Sequence, residues 1–194
     1  MLTREEVISI FEEAGVLQTG HFILTSGRHS KQYMQMAQVL QYANLTEKLC
    51  KSLAEPFKNE KIDLVVSPAV GGIIVGYEVS RILGVKNIFC ERENGVMTLR
   101  RGFKIEPGQR VLVVEDVVTT GGSVKEVISV VEQAGGEIVG IGVLVDRSNG
   151  KVNFGYPLQS LLSLEIESYE KEICPLCNEG KVPAVKPGSR NLKG

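Results

Sequence analysis

Several features that mark particular classes of protein are missing from this sequence. Among its 194 residues, no apolar run reaches the ~18 residues that a membrane-spanning helix needs. Its 22 basic and 23 acidic residues nearly cancel, so the chain has no overall charge that would attract nucleic acid. Four cysteines, two of them isolated at Cys50 and Cys90, do not form the pattern of a secreted disulfide framework. We therefore expect neither a membrane nor a nucleic acid as a partner.

The start of the chain also lacks the pattern of a signal peptide. M-L-T-R-E-E-V is amphipathic and acidic rather than apolar, which favours a cytoplasmic location. Thr3 and Glu6 have the spacing of a capping box, and they predict a helix that Gly15 ends. The length suits one domain with a sizeable core, and the sequence contains no internal repeat or linker.

Short β-branched runs predict a sheet. Four of them have the pattern of buried strands, at residues 62–67, 86–90, 111–114 and 138–145. Helical patterns lie between or before them, including residues 45–57, with apolar residues at helical spacing and Pro56 near the end. Strands alternating with helices predict an α/β fold with a doubly wound, twisted parallel sheet.

Residues 111–123 combine the features of a ligand-binding turn. The strand at 111–114 is followed by two carboxylates and then by a loop of small residues. Ser123 is predicted to cap the amphipathic helix at 124–134. In order, the intervening residues are Glu115, Asp116, Val117, Val118, Thr119, Thr120, Gly121 and Gly122.

The chemistry of this turn suits a phosphosugar. Glycines let backbone N–H groups approach an anion, hydroxyls add donors, and a helix N-terminus adds a favourable dipole, so residues 119–123 are predicted to hold a phosphate. Glu115 and Asp116 would repel phosphate, so we expect them to accept hydrogen bonds from ribose hydroxyls or to steady a hydrated Mg²⁺. An ordinary capped turn is the alternative. No lysine precedes Ser123 as in a Walker loop, and the dinucleotide pattern G-x-G-x-x-G is also missing.

This stretch resembles the signature of the type I phosphoribosyltransferases, which binds 5-phosphoribosyl 1-pyrophosphate (PRPP). The shared features are a hydrophobic strand, two acidic residues and a Thr/Gly loop that enters a helix. The resemblance implies the type I phosphoribosyltransferase fold and PRPP binding by residues 115–123. It also implies that Mg²⁺ is held mainly through PRPP and water, with no metal ligand from the protein.

A second resemblance concerns the base. The stretch G-H-F-I-L-T-S-G-R-H-S-K-Q-Y-M, residues 20–34, predicts a strand, a Ser-Gly turn and a second extended segment. It is similar to the N-terminal hood of the orotate phosphoribosyltransferases. Many members have a lysine where Thr25 stands, which leaves Arg28 or Lys31 as possible ligand contacts. The spacing of His21 and His29 matches no metal motif, so zinc is not expected.

The loop P-A-V-G-G follows the strand at 62–67 and precedes a helix at 73–83. From the residues alone, close packing of helix on strand is the favoured reason for Gly71 and Gly72. The resemblance implies instead that this loop binds pyrophosphate through backbone groups, often with a strained peptide. Many family members have a lysine where Gly71 stands, so backbone donors would have to suffice.

Residues 91–103 contain three arginines, Arg92, Arg100 and Arg101, around an Asn-Gly turn that predicts a two-residue hairpin. A solvated hairpin with surface arginines is the simpler interpretation. By resemblance, this segment is the mobile loop that closes over the active site, often that of the neighbouring subunit. The long-loop members of the family use lysines and a histidine there, and arginine is a plausible replacement because it pairs with phosphate through two hydrogen bonds.

Arg147 follows the strand at 138–145, where it would be a simple surface charge or a ligand contact. By resemblance, Asp146-Arg147 matches the position whose arginine pairs with the orotate carboxylate, and Thr119 also lies beside orotate.

In the tail, C-P-L-C supplies only two of the four ligands that zinc prefers, so a site would need Cys50, Cys90 or a second copy of the chain. Pro183 and Pro187 argue against a regular element there. We expect unpaired thiols or a weak metal knuckle.

The resemblance as a whole implies one domain, with a core at 45–164, a hood at about 16–42 and a tail at 165–194. It implies a homodimeric, Mg²⁺-dependent enzyme that converts orotate and PRPP to orotidine 5′-phosphate and pyrophosphate in pyrimidine synthesis. Two alternatives remain open. One is a phosphoribosyltransferase for a purine or another base, and the other is a non-catalytic regulator with the PRPP-binding fold.

Overall fold

The computed structural model describes residues 1–24 and 26–187. The chain begins with helix α1 and a two-stranded hood sheet, and it continues into a six-stranded sheet with helices on both faces. The helices are α1 (Arg4–Glu13), α2 (Ala37–Leu40), α3 (Ala43–Ala54), α4 (Gly71–Leu83), α5 (Gly122–Gln133) and α6 (Pro175–Glu179). The strands are β1 (Leu17–Ile23), β2 (His29–Met34), β3 (Leu64–Pro68), β4 (Lys86–Glu93), β5 (Val96–Leu99), β6 (Arg110–Val118), β7 (Glu137–Asp146) and β8 (Leu158–Ser163).

The larger sheet has the order β5-β4-β3-β6-β7-β8, and every neighbouring pair is parallel except the β4–β5 hairpin. The predicted α/β fold is confirmed. Two strands add to the four predicted ones. β8 has no continuous apolar run that would mark it in the sequence, and β5 forms the second arm of the hairpin at Asn94-Gly95, where both residues have positive φ.

Successive side chains of a strand point to opposite faces of the sheet, so the core has two layers. Val65, Leu112 and Val114 belong to the layer that contains α1, α3 and α4. Val66 and Val113 belong to the layer on the other face, which contains α5. Because both faces are covered, β6 carries a continuous apolar run and lies at the centre of the molecule.

Local signals in the sequence explain where several helices begin and end. The Thr3 hydroxyl accepts a hydrogen bond from Glu6 N at 3.2 Å, and Thr3 N donates to the Glu6 carboxylate at 2.7 Å, so the capping box is confirmed. Gly84 ends α4 in the left-handed conformation, as expected for a glycine after a helix. The helix predicted over 45–57 is α3 followed by a 3-10 turn at Glu55–Phe57 that contains Pro56.

The tail lies along both edges of the hood hairpin. Ile23 N donates to Val185 O at 2.8 Å on the β1 edge, and His29 N donates to Tyr169 O at 2.8 Å on the β2 edge. The segment with the two tail cysteines connects these contacts. Within the described part of the chain, none of the helices has the length and apolar character needed to cross a bilayer.

Candidate active site

The acidic pair lies inside β6 rather than after it. The strand continues to Val118, so the predicted strand end at Val114 is wrong by four residues. Glu115 is buried, with 8% of its surface exposed. Its Oε1 accepts a hydrogen bond from Asp116 N at 3.1 Å, and Asp116 Oδ1 accepts one from Val117 N at 2.7 Å. Both carboxylates are therefore held in fixed orientations.

Gly71 and Gly72 pack against these carboxylates, and they form the start of α4, two residues before the predicted start at 73. A Cβ atom added to Gly71 would collide with Asp116 Oδ2, and one added to Gly72 would lie 2.9 Å from Glu115 Oε1. The peptide bond between Ala69 and Val70, just before them, is cis. The geometry supports the packing interpretation of the glycine pair. It also places the loop between β3 and α4 directly beside the acidic pair.

The phosphate loop follows β6, and its helix begins differently from the prediction. Gly121, with φ of 75°, occupies the N-cap of α5, and Ser123 lies inside the first turn. Ser123 is therefore not the cap: the left-handed conformation of Gly121 turns the chain into the helix two residues earlier. Thr119, Thr120 and Gly122 are exposed. Hydroxyls and the first N–H groups of α5 thus share one open loop, which is suited to an anion.

The two loop glycines are expected to respond differently to substitution. A Cβ atom at Gly121 would lie 2.7 Å from Val152 Cγ1 and 2.8 Å from Phe154 Cε1, whereas one at Gly122 would meet only Thr120 Oγ1 at 3.8 Å. Gly121→Ala should lower the free energy of unfolding by about 2–4 kcal/mol, because it combines a strained φ with overpacking. Gly122→Ala should change it by less than about 1 kcal/mol. Urea unfolding of both variants measures this, and equal losses would contradict the described packing.

Arg147 lies next to this loop. Its backbone N–H donates to Val118 O at 2.7 Å, which fixes the end of β7 beside the end of β6. Within the described structure its Nε is buried and has no hydrogen-bond partner. Burial lowers the pKa of this guanidinium from its usual value, although arginine remains charged at neutral pH. A buried donor without a partner favours an acceptor supplied by a ligand.

Tyr33 of β2 joins the hood to this site and was not among the predicted residues. Burial raises the pKa of the Tyr33 hydroxyl, while the charge of Arg147 lowers that pKa and the charge of Asp116 raises it. Tyr33 is therefore within electrostatic range of both the arginine and the acidic pair. The signal in the sequence was the aromatic residue that follows the S-G-R of the hood.

Arg28 has its partners in the tail. Its Nε donates to Ser168 Oγ at 2.9 Å, its Nη2 donates to Ser168 O at 2.5 Å, and it forms an ion pair with Glu170. The structure thus gives Arg28 a role in joining hood to tail. Lys31 is exposed on β2, and Thr25 lies outside the described residues.

The three hairpin arginines are paired with carboxylates of the same chain. Arg92 bonds Glu126 of α5 at 2.9 Å, Arg101 bonds both oxygens of Glu91 at 2.7 and 2.9 Å, and Arg100 Nη2 lies 3.3 Å from Glu93 Oε1. Much of residues 91–103 forms the β4–β5 hairpin. The predicted hairpin is confirmed, and none of these pairs includes Glu115 or Asp116.

The two hood histidines lie in a cluster that their spacing in the sequence did not indicate. His21 and His29 lie together with Cys174 and Cys177, and the ligand atoms of all four lie within 4.8 Å of one another. The partners of the C-P-L-C motif are thus the two hood histidines rather than Cys50, Cys90 or a second copy. The motif also begins helix α6 despite the nearby prolines.

Comparisons with known proteins agree with this architecture. The model of the "Phosphoribosyl transferase domain" family matches residues 35–172. A curated protein of Desulforamulus reducens named orotate phosphoribosyltransferase is 58% identical over 191 residues, covering 98% of this chain and 100% of that protein. Another of that name, from Caldanaerobacter subterraneus, is 57% identical over 191 residues, with the same coverage.

Solved structures share the fold at lower identity. Orotate phosphoribosyltransferase from Aeropyrum pernix superposes with a TM-score of 0.70 at 24% identity, covering 81% of this chain and 93% of that one. Adenine phosphoribosyltransferase from Rhodothermus marinus gives a TM-score of 0.63 at 25% identity, covering 81% and 99%. The family model matches most of the length of this chain, which contains the parallel sheet, the acidic pair in β6 and the Thr/Gly loop. This chain therefore belongs to the phosphoribosyltransferase family.

Proposed function

We propose that this protein is an orotate phosphoribosyltransferase, which joins orotate to the ribose 5-phosphate of PRPP to give orotidine 5′-phosphate and pyrophosphate in pyrimidine synthesis. The observation that carries the choice of base concerns Arg147 beside the end of β6: its Nε is buried and has no hydrogen-bond partner among the described residues. A guanidinium fork pairs with a carboxylate through two parallel hydrogen bonds, and orotate carries a carboxylate. The curated relatives named above support this choice.

PRPP would occupy the groove at the carboxyl ends of β3 and β6. Thr119, Thr120 and the N–H groups of residues 121–123 would hold the 5-phosphate, with Val117 and Val118 supplying the backbone that leads into the loop. Glu115 and Asp116 would accept hydrogen bonds from the ribose hydroxyls, because carboxylates are strong acceptors for neutral donors. Backbone groups at Gly71 and Gly72 would face the pyrophosphate.

Orotate would lie between Arg147 and the hood. Arg147 would pair with its carboxylate, and Thr119 would contact it from the phosphate loop. Tyr33 lies within electrostatic range of Arg147, which makes it a further candidate for base contact. Arg28 could contact the base only after its bonds to Ser168 and Glu170 break, so we expect it to contribute less than Arg147 to orotate binding.

The chemistry needs charge stabilisation more than acid–base catalysis. Breaking the anomeric C–O bond of PRPP builds positive charge on the ribose and negative charge on the pyrophosphate. Glu115 and Asp116 lie where they would favour the positive ribose. Arg92, with Arg100 or Arg101, would favour the negative pyrophosphate once it has left its present carboxylate partner.

The oxygen ligands that this site offers also suit Mg²⁺. This ion prefers oxygen ligands and keeps several waters, and Glu115 and Asp116 offer carboxylate oxygens at the groove. Both carboxylates already accept backbone hydrogen bonds, so we propose that the ion is held mainly through PRPP and water. When bound, it would neutralise charge on the pyrophosphate.

We further propose a homodimer that uses an exposed apolar face of α4. Val70, Ile74 and Tyr77 are 80%, 46% and 63% exposed, and their spacing puts them on one side of the helix next to the glycine loop. A second copy would cover this face and could bring its hairpin arginines to the pyrophosphate.

The hood at about 16–42 and the tail at 165–194 would form one domain with the core at 45–164. Four free thiols suit a reducing, cytoplasmic compartment.

Tyr77→Glu is expected to convert the dimer to a monomer, because it places a charge in the proposed apolar contact. Ile173→Glu, at an equally exposed position in the tail and outside both α4 and the hairpin, should leave the dimer intact. Sedimentation velocity measures both. A wild-type protein that sediments as a fully active monomer would contradict the proposal.

The base is tested by a substrate panel. Purified protein with PRPP and Mg²⁺ is incubated in parallel with orotate, uracil, adenine and hypoxanthine, and pyrophosphate release is followed. Release with orotate alone supports the assignment, whereas release with a purine would assign the site to a different base. Silence on all four, together with salt-dependent capture of RNA or DNA, would favour a regulator.

A further inference from the structure

A cluster of four side chains joins the hood to the tail. Its residues lie far from the acidic pair in the sequence. His21 and His29 come from the two strands of the hood hairpin, and Cys174 and Cys177 come from the start of α6. His21, His29 and Cys174 are 3%, 4% and 0% exposed. Neither the PRPP groove nor the orotate contacts use any of them.

The four ligand atoms converge on one point. Cys177 Sγ lies 3.6 Å from His21 Nε2 and 3.3 Å from His29 Nδ1, and Cys174 Sγ lies 3.7 Å from His21 Nε2. The two nitrogens are 2.7 Å apart. With bonds of about 2.0–2.1 Å to nitrogen and about 2.3 Å to sulfur, a tetrahedral zinc ion would hold its ligand atoms roughly 3.3–3.8 Å apart. The two nitrogens would have to move apart by about 0.6 Å to match this spacing.

The surrounding hydrogen bond prepares His21 as a ligand. Its Nδ1 lies 3.0 Å from Val182 O, and a carbonyl can only accept, so Nδ1 carries the proton. That leaves the lone pair of Nε2 directed at the cluster. A ligating histidine that donates its other ring N–H to a backbone carbonyl is the usual outer-shell arrangement of zinc sites.

Two cysteines and two histidines are also the right kinds of side chain for a metal ion. The cysteines are free rather than joined in a disulfide. Two thiols and two neutral imidazoles form a Cys₂His₂ set, which is typical of closed structural zinc sites.

We propose that His21, His29, Cys174 and Cys177 bind one Zn²⁺ ion per chain, and that this ion fastens the C-terminal tail to the hood. The position of the site in the chain explains its use. The tail pairs with the hood backbone at Val185 on β1 and at Tyr169 on β2, and both positions flank the cluster. A metal ion between them closes a long loop of chain, which stabilises the folded state by restricting the unfolded one. The strand that carries His29 also carries Tyr33, so the ion would hold the hood edge that faces the base.

The direct test is metal analysis of the untagged, full-length protein. We expect one zinc per chain in the wild type and at least a tenfold lower content in Cys177→Ser. Cys50→Ala is the matched control, since Cys50 is a buried thiol outside the cluster, and it should retain one zinc per chain. Wild-type protein that contains no zinc after purification and binds none from added Zn²⁺ would overturn the proposal.

Two further measurements hold even where Cys177→Ser fails to fold. The wild type loaded with Co²⁺ should show the visible absorption of a tetrahedral thiolate site, and octahedral spectra would contradict it. Removal of zinc by a chelator, without Mg²⁺ or substrate, should lower Tm by at least about 5 °C, and added Zn²⁺ should restore it. An unchanged Tm, or a Cys174–Cys177 disulfide in the purified protein, would also overturn the proposal.

Discussion

Replacing Arg147 by alanine is expected to lower kcat/KM for orotate by about 30- to 1,000-fold, because truncating one partner of a desolvated charge pair costs about 2–4 kcal/mol. The Nε of this side chain is buried and has no partner within the described structure, so an orotate carboxylate would be its first strong acceptor. The KM for PRPP should change by less than about threefold, since the phosphate loop and the acidic pair remain. Steady-state kinetics with each substrate varied in turn separates the two effects.

Two control variants sharpen this measurement. Arg147→Lys keeps the charge but loses the planar fork, so it should recover only part of the lost activity. Lys151→Ala removes a nearby exposed cation that lies 3.8 Å from Glu165, and its kinetics should match those of the wild type. Unchanged orotate kinetics in Arg147→Ala would remove this arginine from base recognition.

Asp116→Asn is expected to reduce kcat by about 10- to 150-fold while the fold stays intact. A hydrogen bond to a charged acceptor contributes about 1.5–3 kcal/mol, and the amide also loses the negative charge that would favour a positive ribose. The substitution preserves shape. Its oxygen can still accept from Val117 N, and its other end still lies beside Gly71.

The control for this variant is Glu137→Gln. Glu137 lies at the opposite end of the sheet, and its carboxylate is 3.9 Å from Arg110. Glu137→Gln removes one negative charge away from the groove, so turnover should be unaffected. Circular dichroism and Tm establish that both variants are folded. An Asp116→Asn enzyme with wild-type turnover would exclude the acidic pair from the mechanism.

Local signals in the sequence were sufficient for most of the fold. The capping box at Thr3 and Glu6, the Asn94-Gly95 turn and the buried strand of β6 depend on residues a few positions apart, and each was confirmed. The end of β6 and the cap of α5 were less accurate. Gly121 is the cap in a left-handed conformation, and Val152 and Phe154, from a distant part of the chain, leave no room for a side chain there.

The site was predictable in its motifs and less so in its long-range partners. The acidic pair and the Thr/Gly loop are consecutive, so their proximity follows from chain order. Tyr33 reaches Arg147 and Asp116 only through the packing of the hood on the core. His29 and Cys177 are separated by 148 positions, and no spacing rule links two histidines in a hairpin to a C-x-x-C in a tail.

Arg28 illustrates a related limit. Its position in the hood motif suggests a ligand contact, but the tail supplies Ser168 and Glu170 as partners. The sequence identifies the charge, and only the folded tail shows how that charge is used.

The most direct test of the account is the conversion of orotate by the wild-type protein. Orotate absorbance is followed with PRPP and Mg²⁺ present together and with each left out, and the product is identified by mass. The account predicts loss of orotate only when both are present, with one orotidine 5′-phosphate and one pyrophosphate formed for each orotate consumed. Intact orotate in the complete mixture, with folded protein, would contradict it.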